Sequence, residues 1–157
     1  MTEKICLISG VGPGTGASLA KRFSDGGYQI AMLARDRKRL ASLEHDIDGA
    51  RGYVCDVADE AAVSETVGSI VEEMGQPEIF IRNAVGAVFG NFMEIDPVQL
   101  NANFQTNVMG FCYLSRLLAP AMVAAGKGVI IASGNTSALR GKANFAGFAP
   151  TKAAQRI

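Results

Sequence analysis

"SGVGPGTGA", residues 9–17, is the stretch on which the reading of this chain turns. Glycine fills four of the seven positions from Gly10 to Gly16, with Pro13 and Thr15 between them. A turn this rich in glycine lets backbone come close to another surface, because no Cβ stands in the way. Its flanks matter as much as its composition. "KICLIS" (4–9) before it is a short apolar run of strand formers. After it, Leu19, Ala20 and Phe23 fall at helical spacing until "DGGY" stops them. Between a strand and a helix, such a turn faces a ligand with the free N–H groups and partial positive charge of the helix amino terminus, which suit a pyrophosphate. Without that setting, a glycine-rich run is only a tight turn.

The same alternation continues down the chain. "YQIAMLA" (28–34) is a second strand, followed by a charged helix "DRKRLASLEHDI" (36–47) and a third strand "RGYVC" (51–55). Val63, Val67, Ile70, Val71 and Met74 form the stripe of an amphipathic helix ending at Gly75. "PEIFIR" (77–82) is strand four, a long helix covers 98–125, and "GVIIAS" (128–133) is strand five. The strands read as apolar on both faces, as in a parallel sheet covered by helices. Right-handed crossovers then make a three-layer, doubly wound α/β fold of Rossmann type, with residues 1–157 as one nucleotide-binding domain. Ligands of such sheets bind at the carboxyl ends of the strands, where the winding reverses.

Composition narrows the function classes. Fifteen basic residues balance fifteen acidic ones without a basic cluster, which argues against broad electrostatic capture of nucleic acid or an anionic membrane. Cys6, Cys55 and Cys112 are scattered within apolar runs and expected to be buried; with His45 the lone histidine, no metal-ligand spacing exists. Unpaired thiols, no signal-like segment and no uninterrupted apolar run of spanning length predict a soluble, cytoplasmic protein.

The glycines stand as Gly-x-x-x-Gly-x-Gly at Gly10, Gly14 and Gly16, a spacing that resembles the short-chain dehydrogenase/reductase family. The resemblance extends over essentially the whole chain. "CDVAD" (55–59) is similar to the family's Asp-Val pair that meets the adenine, which implies a cofactor role for Asp56 and Val57. "RNAV" (82–85) resembles its Asn-Asn-Ala-Gly stretch and implicates Asn83 and Ala84. "NFQTNVMG" (103–110) places Asn107 at the family's mid-helix active-site asparagine; the plainer alternative is a helix-interior amide bonded to backbone. Together these imply an oxidoreductase that moves hydride between a nicotinamide nucleotide and a carbonyl or alcohol.

Strand two ends "MLARDR". A carboxylate about twenty residues beyond the glycines normally receives the adenosine ribose hydroxyls. Ala34 stands there and cannot, whereas Arg35 beside it can meet a 2′-phosphate with charge-assisted hydrogen bonds. NADP is therefore expected ahead of NAD, unless Arg35 merely opens a solvated helix face.

The resemblance also exposes a departure. The family's Tyr-x-x-x-Lys pair reads here Phe148-Ala-Pro-Thr-Lys152. The lysine that would hold the nicotinamide ribose is present, and the phenol that would exchange the proton is not. The family's serine position falls on Asn135, whose amide can donate to a carbonyl oxygen. Thr136 and Ser137 are neighbouring hydroxyls that reach the site if the loop is shifted, Ser137 being the hydroxyl alternative, and a simple loop turn is the plainer reading of all three. Lys152, Asn107, Asn135 and Ser137 are thus the candidate catalytic residues. An exposed helix position is the other reading of Lys152. Phe148 also opens a second function: a nucleotide-binding homologue without hydride chemistry, acting as a sensor or partner subunit. Family members continue past residue 157 with two more strands and a substrate-closing loop, so the expectation is a domain incomplete at its C-terminus. The resemblance further implies a small-molecule substrate and a dimer or tetramer built on the long helix and the one that starts near Ala146.

Overall fold

The computed structural model describes residues 4–157. In chain order it contains β1 (Lys4–Ser9), α1 (Thr15–Ser24), β2 (Tyr28–Ala34), α2 (Arg37–Asp46), β3 (Ala50–Val54), α3 (Glu60–Glu73) and β4 (Ile79–Arg82). Then follow α4 (Pro97–Phe104), a π-helical segment Gln105–Met109, α5 (Gly110–Ala124), β5 (Val129–Ala132), a 3-10 turn Thr136–Ala138 and α6 (Ala149–Arg156). Aspartates start three of the helices. Asp36, Asp59 and Asp96 each accept first-turn backbone N–H groups, at α2, α3 and α4.

The sheet is wholly parallel, in the order β3-β2-β1-β4-β5. Successive side chains of a strand alternate between its faces. Leu7, Leu33 and Phe80 meet Val63, Val67 and Ile70 of α3 and Leu114 and Leu118 of α5 on one side. Cys6, Ile8, Ile30, Met32 and Ile81 meet Ala20 and Leu40 on the other. These are the three layers expected. The winding reverses between β1 and β4, whose carboxyl ends lie side by side with Ser9 paired to Arg82.

Two expectations need correction. Strands apolar and covered on both faces hold for β1 and β2, but β3 is half-buried and all four residues of β5, the sheet edge, are exposed. Cys6 and Cys55 are buried, whereas Cys112 is exposed. The buried stripe of α5 runs through Gly110, Leu114, Leu118 and Met122, and a residue two positions off that stripe faces the opposite side. The long helix is continuous from Pro97 to Ala124 but widens into the π segment midway. By length and composition that helix passes for a membrane span, yet its stripe packs on the sheet and on α3, as a core helix does.

Candidate functional site

The glycine turn builds the floor of the site through two kinds of glycine. Gly10 adopts φ 83°, and its N–H and that of Val11 donate to the Leu33 carbonyl at 2.8 and 3.1 Å. Asn83 clasps the turn from β4, its Nδ2 donating to the Gly10 carbonyl at 2.9 Å. A Cβ at Gly10 would overlap the backbone of Asn83 and Ala84, and one at Gly16 would stand 2.6 Å from the Gly10 carbonyl oxygen. These two glycines serve the protein's own packing. At Gly12 and Gly14 a Cβ would meet no protein atom within 4 Å. Gly14 also caps α1 without a side chain, so the first-turn N–H groups lack the carboxylate that α2, α3 and α4 receive. Pro13 lies in the turn, but it does not line the space above it.

That space is a cleft of about 920 Å³ running along the carboxyl ends of the strands. Gly10, Gly14, Thr15 and Gly16 line its middle. One end is bounded by Ala34, Arg35, Asp36, Arg39, Asp56 and Val57. Both carboxylates there are engaged. Asp36 caps α2 through the Arg39 N–H at 3.1 Å, and that bond is the main reason its carboxyl sits below the usual range. Asp56 accepts the Ala58 N–H at 3.1 Å. The Arg35 guanidinium lies 3.9 Å from Asp56 with its side chain 81% exposed, a loose surface pair of little energetic weight. Arg39, which the sequence reading passed over, is a second cation at this end.

The inner end is lined by Asn83, Ala84, Asn103, Thr106, Ser133, Asn135, Phe148 and Lys152. Lys152 is buried, its Nζ donating to the Ser133 carbonyl at 3.1 Å and to Gln155 Oε1 at 3.0 Å. The exposed-helix reading of Lys152 is thereby excluded. Burial, and secondarily the Arg82 charge, bring its pKa down to about 8. Phe148 begins α6 one turn earlier, its ring packed against Phe89 at 5.4 Å.

Asn107 stands beneath the cleft, not in its lining. The π segment turns its amide into a fully bonded hub. Nδ2 donates to the Gly86 carbonyl at 2.7 Å and Thr151 Oγ1 at 2.9 Å; Oδ1 accepts from the Gly86 N–H at 2.9 Å and Arg82 Nη2 at 3.1 Å. Single π turns of this kind recur at functional sites. Asn135 lines the cleft, its Oδ1 held by the Ser137 N–H at 2.9 Å, and among the described residues its Nδ2 has no partner. Ser137 itself is not brought to the cleft: it is buried in the 3-10 turn beside a separate hollow that also includes Leu139 and Phe145.

Arg82 is a second residue that sequence reasoning missed. It is 1% exposed at the end of β4, with Nη2 donating to the Thr106 carbonyl at 3.0 Å and to Asn107. A charged residue closing the apolar run "PEIFIR", at the first asparagine position of the resembled motif, was the available signal.

The sequence pattern described as short chain dehydrogenase matches residues 4–156. The chain belongs to the short chain dehydrogenase family. Within that family it is 26% identical over 149 residues to L-xylulose reductase of Bos taurus, covering 94% of this chain and 59% of that protein. It is 29% identical over 155 residues to NADPH-dependent pterin aldehyde reductase of Arabidopsis thaliana, covering 96% of this chain and 62% of that protein. The solved 3-ketoacyl-(acyl-carrier-protein) reductase from Brucella melitensis, complexed with NADH, superposes with a TM-score of 0.88 at 29% identity, covering 98% of this chain and 66% of that one. This family member therefore spans less than two thirds of each of these relatives.

Proposed function

We propose that this chain binds a nicotinamide dinucleotide, NADP ahead of NAD, as a single nucleotide-binding domain, and that the protein reduces a small carbonyl substrate or oxidises the corresponding alcohol. One observation carries the reading. The α1 amino terminus lacks the side-chain cap that α2, α3 and α4 have, and the glycines before it leave open space where a diphosphate fits. Gly12, Gly14 and Thr15 would hold the diphosphate, with Gly10, Pro13 and Gly16 shaping the turn. Val57 and Asp56 would flank the adenine, Asn83 and Ala84 the nicotinamide side, and Lys152 the nicotinamide ribose. The cofactor supplies the hydride.

Arg35 and Arg39 at the adenosine end, beside two carboxylates that already accept backbone N–H groups, favour a 2′-phosphate over a free ribose. The NADPH-dependent Arabidopsis relative agrees with this preference; the NADH-bound Brucella relative keeps NAD in play. Asn135 Nδ2 is the donor for a carbonyl oxygen in the cleft, and Asn107 acts through the groups it braces. Ser137 would need its turn to reorganise before taking part. The family implies a soluble protein that pairs with copies of itself. The exposed Leu117 and Val123 on α5 are consistent with such contacts.

Calorimetric titration with NADPH and NADH tests the proposal. Binding of NADPH in the micromolar range supports it, and an empty cleft at millimolar nucleotide overturns it. Phe148 favours a second reading, a nucleotide-binding homologue without turnover. Saturable NADPH binding with no reduction across a broad panel of aldehydes and ketones would select that one.

A further inference from the structure

Two cations share the ground beneath the inner end of the cleft. The Arg82 guanidinium, 1% exposed, donates only to the Thr106 carbonyl and the Asn107 amide, and its Nη1 has no partner among the described residues. Lys152, 4% exposed, is held by two neutral oxygens, those of Ser133 and Gln155. Among the described residues no carboxylate pairs with either one. The elements packed on α6, the turn Thr136–Ala138 and the segment Gln105–Met109, carry no charged residue. Arg156 on the same helix is exposed. Arg82 is thus the charge that acts on Lys152 from within the fold.

Two like charges in a poorly solvated place disfavour each other, and the one that yields is the lysine, because a guanidinium holds its proton far more firmly. Burial lowers Arg82 only to about 10, whereas burial and Arg82 together lower Lys152 to about 8. At the inner end, Asn83, Asn103, Thr106, Ser133, Asn135 and Phe148 have no proton to exchange near neutral pH. The ionisable residues elsewhere along the cleft, Arg35, Asp36, Arg39, Cys55 and Asp56, belong to the adenosine end.

We infer that Lys152 is itself the proton donor of the reduction, and that Arg82 is the positioning residue whose charge readies it. This rests on the nucleotide reading above. The carbonyl carbon gains a hydride from the reduced nicotinamide, which is thereby oxidised. The carbonyl π pair moves to oxygen, an O–H bond forms, and the Nζ–H bond breaks, directly or across one water. Lys152 is left as a neutral amine and recovers a proton from solvent at the cleft mouth. The product is the alcohol, and the reverse direction runs the same proton back.

The first measurement needs no nucleotide: NMR titration of protein labelled with 13C at the lysine ε-carbons, Lys152 being assigned by its loss in Lys152→Arg. One lysine should titrate about two pH units below the others and move back toward them in Arg82→Gln. Arg82→Lys, which keeps the charge, should hold it low, and it serves if Arg82→Gln does not fold. The second is single-turnover reduction of an aldehyde panel by NADPH, with nucleotide binding followed separately by fluorescence. Reduction should fall as pH rises through the Lys152 titration, and Lys152→Arg, compared with wild type at saturating NADPH, should lose about 100-fold in rate. Failure of NADPH to bind wild type refutes the nucleotide reading, and the proton-donor role falls with it. With NADPH bound, Lys152 titrating with the other lysines or an unimpaired Lys152→Arg overturns this inference alone, and no reduction by wild type overturns it together with the oxidoreductase reading.

Discussion

The Nζ of Lys152 lies 5.8 Å from the centre of the Phe148 ring, one helical turn earlier on the same cleft wall. Phe148 keeps the volume and packing of an aromatic acid without its hydroxyl, wedged between Phe89 and the cleft. A hydroxyl added to this ring in Phe148→Tyr enters a place already beside a cation. The expected result is a protein with an unchanged melting temperature and a phenol whose pKa, read by ultraviolet titration, is lower than that of an ordinary tyrosine. Carbonyl reduction should stay close to the wild-type rate, because Lys152 already supplies the proton at this place; a rise of about 10²-fold, the lower end of what a positioned acid supplies, would mean that wild type lacks one.

The glycine turn separates two roles that substitution can tell apart. Gly16→Ala pushes a Cβ to 2.6 Å from the Gly10 carbonyl oxygen, a backbone atom that cannot swing aside. Gly12→Ala places its Cβ in open cleft. Gly16→Ala should therefore lose about 1–3 kcal/mol of stability in urea unfolding. Gly12→Ala should unfold like wild type but bind NADPH more weakly. Equal melting curves for the two would remove the distinction between packing and cradle.

Removing the Asn107 amide strands several partners at once. Arg82 Nη2, the Gly86 N–H and carbonyl and the Thr151 hydroxyl each lose a hydrogen bond in a buried setting. Asn107→Ala should cost about 3 kcal/mol, since each unsatisfied buried group carries a penalty of about 1–3 kcal/mol and water entering the gap offsets part of the sum. Chemical denaturation measures the loss. A change within error of zero would mean that the hub is not intact in solution.

How much of this was open to the sequence depends on whether a feature is local. The glycines, strand lengths and helix starts follow from neighbouring residues, so β1 and the α1 start are read directly from "KICLIS" and "GPGTGA". The resemblance marked Lys152 and Asn107; Lys152 is buried rather than an exposed helix residue, and Asn107 is buried with its amide bonded to the Gly86 backbone as well as to Arg82 and Thr151. What Asn107 does was not legible. Its four partners come from segments about 20 and 44 positions away in the chain, joined only by folding. The π turn that aims it leaves no mark in hydrophobic spacing. Ser137 stood as the hydroxyl alternative to Asn135, and a single capping bond between them sends the Asn135 side chain to the cleft and the Ser137 side chain away. Arg82 was hidden by its own strand, because an apolar run ending in arginine reads as a strand reaching solvent.

Arg35 tests the choice of nucleotide. Its guanidinium is free enough to reorient, its one ionic contact among the described residues being a 3.9 Å approach to Asp56. A 2′-phosphate offers charge-assisted hydrogen bonds that a ribose hydroxyl cannot match, worth about 1.5–3 kcal/mol each. Arg35→Ala should weaken NADPH binding by about 10–100-fold and leave NADH binding nearly unchanged. Parallel loss for both nucleotides would mean that Arg35 reads no phosphate.

Lys152 also makes a prediction about stability, whose sign follows from the direction of its shift. Its pKa in the folded chain is about 8, below the ordinary value of 10.5, chiefly because burial disfavours the ammonium. Below about pH 8 both folded and unfolded chains carry the proton, and the folded state bears the burial penalty in full. Between that point and the ordinary lysine value, the unfolded chain holds a proton that the folded chain has released. Stability contributed by this group therefore grows as pH rises through that window, and is lost again as pH falls through the folded value. Lys152→Met has no such proton. The difference in urea midpoint between wild type and Lys152→Met should move in favour of wild type between about pH 7 and about pH 9.5. A difference that stays flat over the window would place the lysine head group in water, and with it would go the charge repulsion from Arg82 that readies it as an acid.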